Sequence, residues 1–293
     1  MAKGRELKGR IKSVENTRKI TRTMEMVATS KMKRAHDRVV AARPYARALA
    51  EVISSLYSAE LADRFPLLRQ PAGNPKRAAV LVLTGNRGLA GAFNSNIIKE
   101  ARTLIAKLES DGAEVAVHAV GKKGLGYFRY VGRAVASSRT DLGDQPTGKN
   151  AGELVDALMQ EFASGKLDAV YVVYARFVSA LSTPATSERV LPVTPPAKKE
   201  GKVKGQTPDY LLFPSAEAIL EKLLPAYVRN AVYRALVETI AGFYSAQRTA
   251  MKNATDNAGD MLNILRRTYN RARQAQITQE IAEIVGGSAA LEG

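Results

Sequence analysis

The stretch Tyr269-Asn270-Arg271-Ala272-Arg273-Gln274-Ala275-Gln276-Ile277-Thr278-Gln279-Glu280-Ile281 closes the segment of the chain that decides the fold. From residue 215 to 285 that segment holds one proline, Pro225, and two glycines, Gly242 and Gly259, so little in it opposes a helix. At 1.5 Å per residue, an uninterrupted helix of this length extends about 100 Å, several times the diameter of a small domain. A helix so long cannot be buried within one domain, and it therefore needs a partner.

Residues 3 to 58, at the other end of the chain, have the reach to be that partner. Small and apolar residues recur there in alternating steps of four and three, a mean period of 3.5 that predicts the seam of a left-handed coiled coil. The seam residues are Ala28, Met32, Ala35, Val39, Ala42, Ala46, Leu49, Ile53 and Leu56. The last helix has a seam of the same period at Met251, Ala254, Ala258, Leu262, Leu265, Tyr269 and Ala272. We expect the two seams to mate in an antiparallel coiled coil, so that the middle of the last helix pairs with residues 28 to 56.

The first helix changes character before Ala28. Three polar residues occupy the seam positions there: Arg18, Thr21 and Glu25. The apolar residues of this region are spread around the helix instead: Ile20, Met24, Met26 and Val27. We therefore expect this region to contact something besides one partner helix, and a stutter in the register is the alternative.

The middle of the chain alternates short apolar runs with amphipathic segments. Buried strands are predicted over residues 78–84, 114–120 and 167–175, an edge strand over residues 188–193, and helices over residues 94–108 and 151–162. Alternating strands and helices predict the α/β class, with a Rossmann-like domain built on a mainly parallel sheet. The predicted division is an amino-terminal coiled-coil helix (1–58), the α/β domain (77–208) and a carboxyl-terminal coiled-coil helix (209–293).

The chain is strongly basic and lacks cysteine. Its net charge is +16, and residues 1–50 alone hold fourteen Lys or Arg and four acidic residues. Such a charge points to an acidic partner surface, a nucleic acid or an anionic membrane. The absence of cysteine excludes disulfides, thiolate metal sites and cysteine nucleophiles. No apolar run is long enough to cross a membrane, and the first residues lack the apolar core of a secretory signal, so we expect the protein to stay where it is made.

The loop Thr84-Gly85-Asn86-Arg87-Gly88-Leu89-Ala90-Gly91 lies between a predicted strand and a predicted helix, where glycine-rich loops bind phosphates. Its spacing is G-x-x-G-x-x-G without a Lys-Ser/Thr pair, so it matches neither the dinucleotide fingerprint nor the Walker loop. The spacing predicts a tight structural turn. A nucleotide-binding enzyme is the alternative that it leaves open.

No convincing active site can be assigned elsewhere. The two histidines, His36 and His118, have no acidic residues at ligand spacing, and no catalytic triad or carboxylate pair is present, so we expect no cofactor and no metal. The basic first helix leaves a second alternative, a nucleic-acid-binding coiled-coil protein. That helix lacks interleaved aromatic residues and the layout of a recognition helix, so a charged surface on a rod is the better interpretation.

Three separated motifs identify a family. They are Arg10-Ile11-Lys12-Ser13-Val14-Glu15-Asn16-Thr17-Arg18-Lys19-Ile20-Thr21 with the residues that follow to Lys31, the Thr84 to Asn94 loop, and Met251 to Ala258 with Tyr269 to Ile284. In this order they resemble the amino-terminal helix, the T-x-D-R-G-L-C-G-x-x-N loop and the carboxyl-terminal helix of the gamma subunit of F-type ATP synthases. The resemblance covers almost the whole chain.

The resemblance implies a rotor that performs no bond chemistry and binds no nucleotide, cofactor or nucleic acid. One copy would stand in each complex, with the paired helices inside a hexamer of alpha and beta subunits. The α/β domain would contact the epsilon subunit and the ring of membrane c subunits. The protein would then be peripheral, at the cytoplasmic face of a bacterial plasma membrane, and attached to the membrane only through the complex.

The resemblance also assigns partner contacts residue by residue. Arg273, Gln274 and Thr278 match positions that touch loops of the catalytic subunits, and Met24 with its neighbours matches the facing helix. Ile281, Ile284 and Val285 match the apolar tip that sits in a sleeve at the top of the hexamer.

The chain departs from the family pattern at several positions. Asn86 and Ala90 replace the Asp and Cys of the loop motif, Gly242-Phe243 replaces Ser-Glu, and Gln247-Arg248 replaces Arg-Met. We expect the fold to survive, but contacts assigned to those positions do not carry over. The cysteine-bearing insertion of the plant chloroplast type is absent, which excludes thiol control of rotation through it.

Overall fold

The computed structural model describes residues 2–57, 64–71, 73–194 and 215–291. Within these residues, two long helices, α1 (Ala2–Leu56) and α5 (Ala216–Leu291), flank an alternating series of strands and shorter helices. The predicted α/β class is confirmed. The chain separates into two compact units, which we call the α/β unit (Ser30–Ala246) and the helical unit (Met1–Thr29 with Gln247–Gly293).

The α/β unit is built on a single sheet of the described strands. They are β1 (Arg77–Leu83), β2 (Glu114–Val120), β3 (Ser137–Arg139), β4 (Ala169–Ala175) and β5 (Ala185–Leu191), in the spatial order β3-β2-β1-β4-β5. Neighbouring strands from β3 to β4 run parallel, and β5 is an antiparallel edge strand. The mainly parallel sheet was predicted, whereas β3 was not. The intervening helices are α2 (Phe93–Ser110), α3 (Lys122–Tyr130) and α4 (Gly148–Ala163), and a 3-10 turn spans Pro66–Leu68.

The central position of β1 follows from its composition. Every residue after Arg77 in this strand is buried, and an unbroken run of Val, Leu and Ala is what a strand covered on both faces requires.

The beginnings of two helices are explained by side chains close to them in the sequence. The hydroxyl of Thr147 accepts from Asn150 N at 3.3 Å and Asn150 Oδ1 accepts from Thr147 N at 2.9 Å, which caps α4. Ser215 Oγ accepts from Ala218 N at 3.2 Å, so Ser215 is the N-cap of α5.

Parts of both long helices belong to the core of the α/β unit. One apolar cluster joins Leu220, Leu224, Val228 and Val232 of α5 to Ile53 of α1 and to Leu81 and Val172 of the sheet. Burying side chains of this size contributes about 1.5–3 kcal/mol each, so this cluster holds the first turns of α5 against the sheet.

In the helical unit, α1 and α5 run antiparallel. Glu15 Oε1 lies 2.6 Å from Arg266 Nη2, and Thr21 Oγ1 lies 2.8 Å from Thr255 Oγ1. The seam of α5 therefore faces the first residues of α1. The prediction that this seam mates with residues 28–56 is wrong.

The seam of α1 packs in the α/β unit instead. Ala35 and Val39 form an apolar cluster with Val237 and Ala241 of α5 and with Phe177, which follows β4. Two seams of equal period satisfy the same pattern in every register that differs by whole heptads. Contacts with the sheet determine which of those registers forms. The periodic pattern of a helix does not encode its contacts with the sheet.

The seam positions themselves are confirmed. The buried ones are Ala28, Ala35, Val39, Leu49 and Ile53 on α1 and Met251, Ala258 and Leu262 on α5. The other predicted seam residues of both helices are half-buried. Periodicity thus identifies the inward face of each helix, although not the residues that this face meets.

Replacing Ile53 with alanine should lower the free energy of unfolding by about 2–5 kcal/mol. The Ile53 side chain is fully buried, so the shorter alanine side chain leaves a cavity in its place. Val40→Ala, at an exposed position of the same helix, is the matched control and should cost about 0.5 kcal/mol or less. Urea unfolding of the full chain measures both. Equal losses in the two variants would contradict the placement of Ile53 in the core.

Candidate functional site

The last turns of α5 form the first candidate surface. From Ile277 to Gly287 every residue is exposed. Four of them carry large aliphatic side chains: Ile277, Ile281, Ile284 and Val285, exposed by 47 %, 56 %, 72 % and 62 %. Gly4 of α1 lies beside Gln276, since a Cβ built on Gly4 would be 4.0 Å from the Gln276 side chain. Because α1 begins at Ala2, only two residues before Gly4, it ends short of Ile281, Ile284 and Val285. Exposed aliphatic side chains grouped in this way are typical of a partner surface.

The polar residues predicted to contact partners lie directly before this tip. Gln274, Thr278, Ile281 and Val285 follow one another in steps of four, three and four, so they share one face of α5. Arg273 is exposed on the neighbouring face, and within the described residues it forms no ion pair. The helix therefore presents polar and apolar groups in one continuous surface, which we call the α5 tip (residues 273–287).

Met24 lies on the other helix of the same unit, away from the α5 tip. The pairing of Thr21 with Thr255 places Met24 opposite the beginning of the α5 seam, about 30 Å along the helix from Arg273. Met24 is half-buried, whereas Ile20, Met26 and Val27 are exposed by 60 %, 59 % and 50 %. The predicted spread of apolar residues around α1 is confirmed, and the sequence-predicted site residues fall into two separate groups.

The glycine-rich loop after β1 is a tight turn whose groups bond within the protein. Gly85 N donates to Asn94 Oδ1 at 2.8 Å, and Thr84 Oγ1 accepts from Gly124 N at 2.9 Å. The predicted structural turn is confirmed. Leu89 has a left-handed backbone with φ of 61° and an exposed side chain, an uncommon conformation for a residue other than glycine.

Asn86 has a structural role that accounts for its departure from the family motif. Its Nδ2 donates to the carbonyl oxygens of Thr140 and Leu142, both at 3.1 Å, and its Oδ1 accepts from Lys122 N at 3.0 Å. Only an amide side chain donates and accepts in this way, because an ionised carboxylate would only accept. Asn86 therefore ties the glycine-rich loop to residues 140–142.

The departure at Gly242-Phe243 is explained by close packing. A Cβ on Gly242 would lie 3.1 Å from the ring of Phe93 and 3.3 Å from Ala175 Cβ, so a side chain fits there only if these neighbours shift by a few tenths of an ångström. Phe243 is buried and meets Phe93 edge to face, with ring centroids 5.7 Å apart. Ala90 is buried as well, and Gln247 and Arg248 are half-buried.

A polar cluster lies beside this packing, and sequence reasoning did not find it. We call it the Asp144 cluster, and it consists of Lys31, Arg38, Arg87, Asp144 and Tyr244. Lys31 Nζ donates to Asp144 Oδ2 at 2.8 Å, and Arg87 Nη2 lies 2.8 and 3.0 Å from the two carboxylate oxygens. Both cations also donate to the hydroxyl of Tyr244, at 3.2 and 3.1 Å, and Arg38 donates to the backbone oxygen of Asp144 at 3.0 Å.

The two cations control the ionisation of the cluster. Partial burial opposes the charge on Asp144, but hydrogen bonds from Lys31 and Arg87 outweigh it and lower the pKa of Asp144 to about 2. The hydrogen bond to Asp144 and the one to Tyr244 raise the pKa of Lys31. Asp144 is therefore a carboxylate at any physiological pH, and the positive charges of the cluster outnumber its single negative charge.

A second polar group anchors α5 to the edge of the sheet. Glu188 of β5 accepts from Arg234 at 2.6 Å and from the hydroxyl of Tyr174 at 2.8 Å. Glu238, one turn after Arg234, is buried and accepts from Phe177 N at 3.0 Å. Burial raises the pKa of Glu238. Two charged residues four apart on an otherwise apolar helix face were the signal that could have located this anchor from sequence.

One cleft of the described structure borders the glycine-rich loop. This cleft of about 370 Å³ opens between α5 and the carboxyl ends of the strands, but the loop amide of Gly85 that borders it is already bonded to Asn94. In the part of the chain that the structure describes, no three His, Cys, Asp or Glu residues are grouped to hold a metal ion. None of the helices in that part is long and apolar enough to span a membrane.

Comparison with known proteins gives a consistent result. A family model described as ATP synthase matches residues 3–291. The ATP synthase gamma chain of Gemmatimonas aurantiaca is 68 % identical over the full length of both chains. The gamma chain of Leptospira biflexa is 42 % identical, over 99 % of this chain and 100 % of its own.

Solved structures share the fold at low sequence identity. A chain of the Euglena gracilis mitochondrial ATP synthase, solved with its F1 part and c-ring, is 20 % identical with a TM-score of 0.67, over 99 % of this chain and 95 % of that one. A chain from the central stalk and c-ring of the Tetrahymena thermophila enzyme is 23 % identical with a TM-score of 0.59, over 80 % and 99 %.

The Asp144 cluster predicts a pH dependence of stability. The pKa of Asp144 in the folded protein, about 2, is below its ordinary value of 3.8, so the stability it contributes is present above 3.8 and is lost as the pH falls toward 2. The difference in unfolding free energy between the wild type and Asp144→Asn should shrink over that range. Asp37→Asn, which removes an exposed carboxylate of α1, is the control and should show a smaller difference throughout. Urea unfolding at several pH values measures the differences, and a constant difference for Asp144→Asn would contradict the assignment.

Proposed function

The chain belongs to the ATP synthase gamma-chain family, and on that premise we propose how it couples rotation to catalysis. It is a non-catalytic subunit, the central-stalk rotor of an F-type ATP synthase. The nucleic-acid-binding alternative has no support in these relatives. The observation that carries the proposal is the α5 tip, where one helix is exposed on every side and carries large aliphatic side chains.

The α5 tip is a bearing surface inside the hexamer of alpha and beta subunits. Burial of an isoleucine or valine side chain contributes about 1.5–3 kcal/mol, so a sleeve of apolar residues around Ile281, Ile284 and Val285 would hold the tip in place. These three side chains lie within about 100° around the helix axis, so the tip presents one apolar face to the sleeve. Because hydrophobic attraction is non-directional, this face can move along an apolar sleeve as the rotor turns, and the sleeve centres the rotor without fixing its angle.

The polar residues of the α5 tip are arranged asymmetrically around the helix, and this asymmetry drives the catalytic subunits. Arg273, Gln274 and Thr278 are exposed polar groups that occupy only part of the circumference of α5. A catalytic subunit that faces them meets different contacts from one that faces the opposite side. Since a partner can shift a conformational equilibrium only by binding its states differently, this difference gives each catalytic subunit a different conformation as the rotor turns.

Met24 supplies a second contact level on the facing helix. The exposed neighbours Ile20, Met26 and Val27 lie on several sides of α1, where α5 does not cover them. Loops of the catalytic subunits that pack on these residues would contact the paired helices at a second position along their axis. Those contacts would also change with the orientation of the rotor. The basic charge of residues 1–50 favours acidic loops as the contacting segments.

The remaining partners are assigned to the α/β domain. Of the predicted division, the α/β domain (77–208) is assigned to the epsilon subunit and the c-ring. Within the predicted coiled-coil helices (1–58 and 209–293), the part that makes up the helical unit is assigned to the hexamer. One copy serves each complex, attached peripherally at the cytoplasmic face of the bacterial plasma membrane. Proton flow through the membrane sector turns the ring, and this chain passes the rotation to the hexamer.

The double variant Arg273→Ala with Gln274→Ala should reduce coupled ATP turnover in the assembled complex severalfold, because it removes the polar contacts that distinguish one side of α5. Arg102→Ala, on the exposed face of α2, removes an equal charge far along the chain and should leave turnover unchanged. ATP synthesis in energised vesicles measures both variants. Wild-type turnover in the double variant would mean that these contacts are not used.

Ile284→Asp should weaken incorporation of the chain into the complex, because a charge in an apolar sleeve is costly to bury. Ile284→Leu preserves the apolar volume and is the matched control. Co-purification of the full chain with tagged catalytic subunits measures incorporation, and it also tests the proposed function itself. A wild-type chain that never co-purifies with the hexamer would overturn the rotor assignment, and equal recovery of both variants would overturn the sleeve.

A further inference from the structure

We propose that Asp144 is a positioning residue. Through the Asp144 cluster it clamps both long helices to the rest of the α/β unit, so that torque passes between the helices and the sheet. The inference rests on the proposed rotor function and adds to it a specific route for the mechanical load. It concerns a group of residues within the α/β unit to which the proposed function assigns no individual partner contact.

Four separate elements meet at the carboxylate of Asp144. Lys31 comes from α1, Arg87 from the glycine-rich loop, Tyr244 from α5, and Asp144 itself from the segment between β3 and α4. The hydroxyl of Tyr244 accepts from both cations and so closes the network onto α5. The carboxylate thus joins both long helices to two loops of the sheet.

The position of the cluster along the chain suits a clamp. Lys31 is the second residue of the α/β unit on α1, and Tyr244 is the third from the end of this unit on α5. The cluster therefore grips each helix at the last residues that belong to the α/β unit. Torque that the helices carry into the α/β unit therefore reaches this cluster first, before the contacts of Ile53 and of Leu220 to Val232 with the sheet.

Apolar and polar contacts hold the helices at this level in different ways. The neighbouring apolar cluster contains two alanines, Ala35 and Ala241, among larger side chains, and Gly242 permits a close approach of α5 to the sheet. Hydrophobic attraction is non-directional and roughly proportional to the area buried, so it favours close packing without specifying one angle of approach. Charge-assisted hydrogen bonds are directional and lose most of their strength when they are displaced.

The carboxylate is held on a rigid support. Arg38 fixes the backbone oxygen of Asp144, and Asn86 fixes those of Thr140 and Leu142. The capping box at Thr147 fixes the segment on its other side. A clamp needs this support, because a carboxylate on a loose loop would follow the helices without resisting them.

The ion pair between Arg139 and Asp141 lies in the same segment but does not connect it to the long helices. Asp141 accepts from Arg139, two residues earlier in the chain, at 2.8 Å and is exposed. This pair joins two neighbouring residues and contacts neither long helix. Asp141→Asn therefore removes the same charge from the same loop and is the matched control for Asp144→Asn.

The test compares ATP hydrolysis with ATP-driven proton pumping by the whole complex in inverted membrane vesicles. Asp144→Asn should assemble and hydrolyse ATP, while the number of protons pumped per ATP falls by about twofold or more because the rotor slips. Asp144→Glu retains a carboxylate and should recover part of the ratio. Asp141→Asn should keep the wild-type ratio, and equal falls in both asparagine variants would overturn the clamp.

Tyr244→Phe provides an independent variant that removes only the hydroxyl acceptor on α5. It should lower the pumping ratio in the same direction, and it decides the question if Asp144→Asn does not assemble. A wild-type ratio in every variant that assembles would overturn the proposal and leave the rotor function intact. A wild-type chain absent from the complex would instead overturn the rotor function, so the two failures are distinguishable.

Discussion

The length of α5 is the constraint on which the rest of the structure depends. A helix of 76 residues cannot bury its apolar face in a single core, so successive parts of it have different surroundings. Its first turns pack in the core of the α/β unit, the seam that begins at Met251 faces α1, and the residues from Ile277 to Gly287 are exposed. The same helix is therefore core, coiled coil and partner surface in turn.

Directional polar contacts set the register and the orientation of the long helices, which apolar packing alone does not set. Hydrophobic burial holds helices together without fixing how far one slides along the other. In the helical unit, the Thr21 to Thr255 hydrogen bond and the Glu15 to Arg266 ion pair mark one register. In the α/β unit, the Asp144 cluster and the bonds of Glu188 orient α5 on the sheet. These directional contacts matter most in a subunit that has to carry torque.

Much of the fold could be predicted because its signals are local. The strands β1, β2 and β4, the amphipathic helices and the inward faces of α1 and α5 follow from residues a few positions apart. The β3 strand escaped prediction because three residues carry no usable period. The exposed α5 tip was expected from family resemblance, and its exposure is a property of the structure. The Asp144 cluster escaped because its residues come from four elements that are distant in sequence.

The sequence by itself determined the class of the fold, the two long helices with their seams, and the family to which the chain belongs. Helical and strand periods depend on each residue's immediate neighbours, and motifs such as the glycine-rich loop are contiguous. Only the tertiary structure decided which part of α5 meets which part of α1, because seams of equal period fit together in several registers. It also decided the role of Asn86 and the meeting of Lys31, Arg87 and Tyr244 at Asp144, since those contacts exist only once the sheet has brought separate loops and helices together.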